Sequence, residues 1–234
     1  MRNRAAAWGV HFYTATGALS AFFGTLAVFE SRYRDAFLWM IVATFVDATD
    51  GLLARAADVK RVLPGFDGAR LDDIVDYLTF VFLPVLLLHH SGALPEGWSL
   101  AISSLVLLSS AYGFSSGDAK TDDYFFTGFP SYWNIVALYL HAAALPPAVN
   151  ATVLVVLSIL VFVRISYVYP SRTPTLKGLT LGLGAVWAIA MIALALTLPN
   201  VPPLLLWGSL FYPIYYTVLS FVLQARRARR PAVT

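Results

Sequence analysis

The chain has 234 residues, of which 59% are hydrophobic and only 12% charged, with a net charge of +3. Charged residues are about half as frequent as the roughly 25% of a soluble domain, which excludes a fold covered by water alone. The lack of cysteine excludes disulfides and thiolate metal sites. Basic runs occur in the termini and loops alone, so the sequence gives little support for nucleic-acid binding.

Eight apolar segments are long enough to cross a membrane as helices, because a hydrocarbon core of about 30 Å requires about 20 residues. In chain order they are 8–29, 36–57, 72–90, 98–114, 131–146, 149–169, 178–198 and 203–224. Breaks rich in Pro, Gly or charge separate them. We therefore expect an all-α fold, a polytopic integral membrane helical bundle of about eight transmembrane helices, with a single domain covering 1–234.

The placement of Lys and Arg predicts the orientation. An even number of crossings puts both termini on one side, and that side then holds fourteen of the sixteen Lys and Arg residues. Only Arg32 and Arg34 lie on the other side. Because positive charge accumulates in cytoplasmic loops, both termini are expected in the cytoplasm. The basic cluster at 226–230 is expected to anchor this topology and to attract anionic lipid headgroups.

Acidic residues gather on the second apolar segment, where carboxylates are costly unless they are paired, solvated or bound to a cation. Offsets of three, four, seven and eight from Asp47 select Asp50, Gly51, Ala54 and Arg55. These residues share one helical stripe. The stripe presents two carboxylates, a guanidinium and two small residues that let a ligand approach the backbone closely.

A second stripe begins the third apolar segment, where Gly68, Asp72 and Asp76 are spaced by four and share one face. Two antiparallel helices joined by one loop can bring the two stripes together near the cytoplasmic surface. Four carboxylates at close range require cations, and ligation by oxygen alone favours Mg²⁺ or Mn²⁺. The spacing therefore predicts a divalent metal site.

A charged helix–loop–helix cap, solvated by the cytoplasm, is the alternative explanation. It accounts for the acids outside the stripes, which are Asp58, Asp67 and Asp73, the last as a helix cap. It does not account for Asp47 and Asp50, which lie inside an apolar run.

These stripes carry a family resemblance. The sequence contains D-x-x-D-G-x-x-A-R and then G-x-x-x-D-x-x-x-D, at Asp47, Asp50, Gly51, Ala54, Arg55, Gly68, Asp72 and Asp76. It therefore resembles the CDP-alcohol phosphatidyltransferases. The spacer of twelve residues between the two halves is longer than in most members. That spacer and the segments 58–64, 71–77 and 120–130 are similar to the bacterial phosphatidylcholine synthase branch.

The resemblance implies a reaction and its site. It implies two Mn²⁺ or Mg²⁺ ions held by Asp47, Asp50, Asp72 and Asp76, with Asp76 as general base. It also implies a nucleotide and donor site lined by Gly51, Ala54, Arg55 and Gly68. The expected donor is CDP-diacylglycerol, the acceptor choline and the leaving group CMP. A homodimer among the lipids of the bacterial inner membrane is expected, with its active site facing the cytoplasm.

The loop from 115 to 130 is expected in the cytoplasm and is rich in aromatic residues. Choline is a quaternary ammonium that cannot donate a hydrogen bond, and aromatic faces bind such cations. The candidate acceptor-binding residues are Tyr124, Phe125, Phe126, Tyr132 and Trp133. An aromatic belt at the membrane surface is the alternative reading of the same residues.

Two other functions remain open from the sequence. One is the same phosphatidyl transfer to serine, inositol phosphate or glycerol phosphate. The other is a cation-coupled transporter with intramembrane carboxylates. Transporters bind substrate near the membrane midplane between internal repeats. Here the acids lie at one end of two neighbouring segments and no repeat is visible, which favours an enzyme.

Overall fold

A computed structural model of the chain describes residues 4–121 and 123–228, and the fold is mostly helical, at 74%. The helices are α1 (Arg4–Phe29), α2 (Tyr33–Ala56), α3 (Val59–Val62), α4 (Gly68–Asp76), a π-helical stretch (Tyr77–Phe82), α5 (Leu83–His90), α6 (Ser99–Ser115), α7 (Trp133–Ala143), α8 (Pro147–Phe162), α9 (Lys177–Thr197), α10 (Pro203–Gly208) and α11 (Phe211–Ala228). Two short strands, β1 (Phe125–Thr127) and β2 (Ser166–Val168), pair in antiparallel fashion.

Membrane-length helices are present. Within the described ranges, four helical stretches are long and apolar enough to cross a bilayer: Arg4–Phe29, Tyr33–Ala56, Lys177–Thr197 and Pro203–Arg227. The apolar helices α6 and α8 are shorter. The 11 residues of α7 rise only about 16 Å. The predicted helical fold with apolar helices of membrane length is confirmed, and the count of eight crossings stays a prediction.

Three of the predicted segments need correction. The sixth was expected to reach residue 169, but α8 ends at Phe162 and the chain enters strand β2. The all-α prediction is therefore wrong at this segment, where β1 and β2 form a small ribbon. The fifth segment is shorter than expected, because Ala144 adopts a left-handed conformation (φ 46°) and two prolines follow. The eighth is interrupted at Ser209, because Pro213 has no N–H to donate to the Ser209 carbonyl.

The third predicted segment is one continuous helix of changing pitch, formed by α4, the π-helical stretch and α5. Pro84 cannot donate to the carbonyl four residues earlier, and the wider π turns immediately precede it. Helix α1 packs closely along this helix. A Cβ on Gly17 would lie 2.4 Å from Val75, and one on Gly24 would lie 2.5 Å from Leu83. The glycines thus let α1 approach the acid-bearing helix.

The two larger apolar cores among the described residues hold the helices and the ribbon together. The larger core joins α2, α5, α7, α8 and α9 through buried side chains that include Phe37, Leu87, Trp133, Leu154 and Leu194. A smaller core joins the β-ribbon to α11 through Phe125, Val168, Leu219 and Leu223. The ribbon therefore rests on the last helix.

Candidate active site

Three carboxylates meet where α2 and α4 lie side by side. Asp47 and Asp50 stand about one turn apart on α2, and Asp72 stands on α4. One carboxylate oxygen from each lies within 4.8 Å of the other two. Asp50 is buried and the other two are half-buried. Three carboxylates this close repel one another unless a cation neutralises them, and such an all-oxygen set fits Mg²⁺ or Mn²⁺.

Asp76 is the last residue of α4, about one turn beyond Asp72. Among the described residues it lies outside the close group of three carboxylates. It is near enough to Asp47 and Asp72 to interact electrostatically with both. Its assignment as a fourth metal ligand and as general base therefore stays a prediction.

We call Asp47, Asp50 and Asp72 the acid cluster. Helix α1 contributes to this cluster a residue that sequence analysis missed. The hydroxyl of Thr14 donates a hydrogen bond of 2.8 Å to Oδ2 of Asp50, and both side chains are buried. The bond fixes the orientation of a carboxylate that would otherwise be free to rotate. A polar residue within an apolar helix was the signal in the sequence, but nothing in the spacing pointed to Asp50.

The close approach of α1 also explains Gly68, the first residue of α4. A Cβ at this position would lie 2.5 Å from Cε1 of His11, because the imidazole fills the space beside the glycine. His11 is itself 6% exposed and stacks obliquely on Phe66 at 4.5 Å. Gly68 therefore lets α4 begin against α1, which places Asp72 beside α2.

The other three residues of the predicted nucleotide site lie on α2 beyond Asp50. Gly51 is half-buried and Arg55 is exposed. A Cβ on Gly51 would lie 3.2 Å from Nη1 of Arg55, so the guanidinium lies over the glycine. Ala54 packs against a small apolar cluster that contains Val59 and Leu63. Their role in binding the donor stays a prediction.

Lys120 brings a positive charge to the acid cluster from the loop between α6 and β1. Its Nζ lies 3.5 Å from Oδ1 of Asp73, the acid that follows Asp72. Burial lowers the pKa of Lys120, but the charges of Asp73, Asp72 and Asp76 outweigh burial, so the pKa lies above the ordinary lysine value. Lys120 therefore stays protonated at neutral pH. Asp73 is thus an ion-pair partner, and Asp67 caps α4 by accepting an N–H bond of 3.1 Å.

Two of the five predicted acceptor residues lie together in an aromatic cluster. The ring of Phe126 stacks on Tyr169 at 4.6 Å and meets Tyr132 edge-on at 6.4 Å. Tyr132 in turn meets Tyr216 at 6.4 Å and is near enough to Asp47 to interact with it electrostatically. We call Phe126, Tyr132, Tyr169 and Tyr216 the aromatic cluster. Tyr132 is the member of the cluster that interacts with the carboxylates, through Asp47.

The other three predicted acceptor residues have different surroundings. Trp133 is 1% exposed and its Nε1 donates to Oγ of Ser110 at 2.7 Å, which makes it part of the larger core. Phe125 is buried, and the guanidinium carbon of Arg227 lies 4.6 Å from the centroid of its ring. Tyr124 is half exposed, with Arg172 5.8 Å from its ring centroid. The structure thus brings two of the five predicted acceptor residues together and places the other three elsewhere.

Comparison with known proteins adds to this geometry. No family model matches the chain. It is 40% identical to the phosphatidylcholine synthase of Rhizobium meliloti over 220 residues, covering 93% of this chain and 90% of that protein. It is also 40% identical to that of Legionella pneumophila, covering 92% and 88%. With the phosphatidylcholine synthase of Pseudomonas aeruginosa the identity is 38%, covering 87% and 86%.

The chain belongs to the phosphatidylcholine synthase family.

An alignment that covers 93% of the chain necessarily includes both acid-bearing helices, which lie between residues 33 and 76. In this member of the phosphatidylcholine synthase family, the structure adds four residues to the candidate site that the signature does not contain. They come from α1, from two loops and from the last helix: Thr14, Lys120, Tyr169 and Tyr216.

Proposed function

We propose that the chain transfers the phosphatidyl group of CDP-diacylglycerol to choline, which forms phosphatidylcholine and releases CMP. The observation that carries this proposal is the group of three carboxylates on two adjacent helices, in a chain that belongs to the phosphatidylcholine synthase family. A lipid donor requires a site at membrane depth, and a nucleotide product requires an opening to water. Acids at one end of apolar helices satisfy both requirements.

Asp47, Asp50 and Asp72, with Asp76 as the proposed fourth ligand, would hold two Mn²⁺ or Mg²⁺ ions that neutralise and align the pyrophosphate oxygens of the donor. Asp76 accepts the proton of the choline hydroxyl. The hydroxyl oxygen then bonds to the phosphorus next to diacylglycerol, and the bond from that phosphorus to the bridging oxygen breaks. CMP leaves with the bridging oxygen.

The donor is bound by the predicted nucleotide site. Gly51 carries no side chain and lets the ligand approach the backbone, while Gly68 lets α4 begin against His11 of α1 at the edge of the site. Ala54 adds little bulk, and the exposed guanidinium of Arg55 can form charge-assisted hydrogen bonds with phosphate oxygens.

The acceptor is bound by the aromatic cluster. Tyr132 lies near Asp47, and Phe126, Tyr169 and Tyr216 complete the group of rings. A quaternary ammonium is attracted to such rings by about 0.5–2 kcal/mol each. This location brings the choline hydroxyl near the carboxylates. Of the other three predicted residues, Phe125 packs beside Tyr216 in the smaller core, Trp133 lies in the larger core and Tyr124 faces Arg172, so they are assigned no direct contact with choline.

We further propose eight crossings of a bacterial inner membrane, with both termini in the cytoplasm and a homodimeric assembly. The bacterial relatives support a bacterial membrane, and the fourteen-to-two bias of Lys and Arg supports the orientation. Single cysteines introduced into this cysteine-free chain test it with an impermeant thiol reagent. Labelling near Lys60 from the periplasmic side of intact cells would contradict the proposed topology.

The decisive experiment incubates the purified protein with labelled CDP-diacylglycerol, choline and Mn²⁺ and separates the lipids by chromatography. Labelled phosphatidylcholine is expected, and Asp50→Asn serves as the inactive control. Competition among choline, serine, inositol phosphate and glycerol phosphate identifies the acceptor. If one of the other alcohols is used and choline is ignored, the proposed acceptor is wrong and the transfer chemistry alone survives.

A further inference from the structure

One face of α11 carries polar side chains at regular helical spacing. Tyr216, Ser220 and Gln224 are separated by four residues each, and Arg227 follows after three. Residues at such spacing lie on the same side of a helix. We call these four residues the α11 polar face. In the structure this face lies against the β1–β2 ribbon.

The α11 polar face occupies the edge of β2 that β1 leaves free. The N–H of Ser166 donates to Oε1 of Gln224 at 2.9 Å, and the N–H of Val168 donates to Oγ of Ser220 at 3.1 Å. The hydroxyl of Tyr216 donates to the carbonyl of Val168 at 3.0 Å. Val168 is 1% exposed, so its N–H and carbonyl groups depend on these partners, and Ser166 is half-buried. Side chains of α11 thus form the hydrogen bonds that a neighbouring strand would otherwise form with this edge of β2.

Arg227 connects both strands of the ribbon to the helix. Its Nη1 donates to Oγ of Ser166 at 2.6 Å, and its Nη2 lies 2.9 Å from Oδ2 of Asp123. Its guanidinium carbon also stands 4.6 Å from the ring centroid of Phe125 on β1. One side chain therefore contacts β2, β1 and the turn before β1.

The ribbon held in this way carries two residues of the candidate active site. Phe126 of β1 stacks on Tyr169 in the aromatic cluster. Lys120 forms a backbone bridge with Phe126, and its ammonium reaches Asp73 beside the metal-site carboxylates. A shift of the ribbon relative to α11 would move both Phe126 and Lys120.

We propose that Arg227 is a positioning residue for the acceptor: by fixing the ribbon to α11, it keeps Phe126 and Lys120 in place beside the carboxylates. The proposal rests on the proposed function, because it assigns the ribbon to the acceptor side of the site. A basic cluster that serves only as a topology anchor would not distinguish Arg227 from its neighbour Arg226.

Arg226→Ala is therefore the matched control for Arg227→Ala. Both variants lose one positive charge from the same helical turn, and Arg226 is exposed to solvent. In Arg227→Ala we expect the KM for choline to rise about 3- to 30-fold while kcat and the KM for CDP-diacylglycerol change by less than about twofold. Arg226→Ala should match the wild type. Arg227→Lys should recover part of the loss, because an ammonium still pairs with Asp123 and Phe125.

Amide hydrogen exchange gives a second readout that does not depend on catalysis. The amides of Ser166 and Val168 should exchange faster in Arg227→Ala than in Arg226→Ala. Equal choline KM in the two variants, or equal exchange, overturns the proposal. If the wild type makes no phosphatidylcholine, the proposed function fails, and the exchange data still decide whether Arg227 holds the ribbon. Should Arg227→Ala not be recovered, Asp123→Asn removes the same ion pair and should raise the choline KM.

Discussion

Thr14 on α1 donates a hydrogen bond of 2.8 Å to Oδ2 of Asp50 on α2, across 36 residues of sequence, and both side chains are buried. Partners of this kind orient metal-binding carboxylates and are often as important as the ligands themselves. The first helix is therefore part of the candidate active site as well as of the membrane bundle.

The first prediction concerns this bond. Thr14→Val keeps the shape of the side chain but leaves Oδ2 of Asp50 without its donor. We expect the apparent affinity for the activating metal to fall about 10- to 100-fold, measured as the Mn²⁺ concentration for half-maximal activity. Thr14→Ser should restore it. Thr16→Val is the control on the same helix, since within the described part of the chain the Thr16 hydroxyl donates to the carbonyl of Tyr13. Equal metal dependence of the two valine variants would make Thr14 a packing residue.

The second prediction concerns the three clustered carboxylates. Asn at position 47, 50 or 72 keeps the size of the side chain and removes the charge that the metal requires. Each change should lower turnover by more than the roughly 10- to 100-fold typical of outer-shell changes. Excess chelator should abolish wild-type activity, and added Mn²⁺ should restore it. Asp35→Asn, at the opposite end of α2, is the control. Undiminished turnover in excess chelator would rule out the metal mechanism.

The third prediction separates two roles of Asp76. If Asp76 accepts the proton of choline, Asp76→Asn should lower the rate constant far more than it lowers donor affinity. Both quantities can be measured on one preparation, by binding of CDP-diacylglycerol and by single-turnover kinetics. A loss of donor affinity as large as the loss of rate would leave the general-base assignment without independent support.

The fourth prediction divides the aromatic residues into two groups. Phe126→Ala and Tyr132→Ala should each raise the choline KM about 2- to 30-fold, since a ring contributes about 0.5–2 kcal/mol to binding a quaternary ammonium. The KM for CDP-diacylglycerol should stay nearly constant. Trp133→Ala should instead cost about 3–5 kcal/mol of stability, because Trp133 is 1% exposed within the core. Thermal unfolding in detergent measures this cost.

Tyr112→Ala is the control for this series, because Tyr112 forms a separate ring pair with Phe162 at 4.9 Å. Its choline KM should equal that of the wild type. If Phe126→Ala and Tyr132→Ala also keep the wild-type choline KM, the acceptor is bound elsewhere, and Tyr77 and Tyr167 are the next residues to change.

The acid cluster itself was predictable from local spacing. Asp47 and Asp50 are three residues apart, and any helix at that position puts them on one face. Asp72 required one further step, the antiparallel pairing of two helices that are consecutive membrane segments of the prediction. The structure agrees, with one oxygen of each residue within 4.8 Å of the others. Asp76 shares its stripe by the same rule, yet it lies outside this group, because a shared face does not determine the distance to the neighbouring helix.

The β-ribbon was not predictable in the same way. The segment from 163 to 169 continues an apolar run, and hydrophobicity alone does not distinguish a helix from a strand over so few residues. The strand forms because β1 pairs with one edge of it and the α11 polar face with the other. Both partners are distant in sequence, so the local propensity of the segment from 163 to 169 cannot predict the strand.

The sequence by itself determined the lipid-covered helical class, the two acidic stripes and the family resemblance, because composition and helical periodicity depend on residues a few positions apart. Only the tertiary structure decided that Thr14 holds Asp50, that Lys120 reaches Asp73 and that α11 closes the edge of β2. These contacts join residues 36, 47 and 52 positions apart. Their geometry depends on how whole helices pack together, and no short-range pattern in a single sequence encodes it.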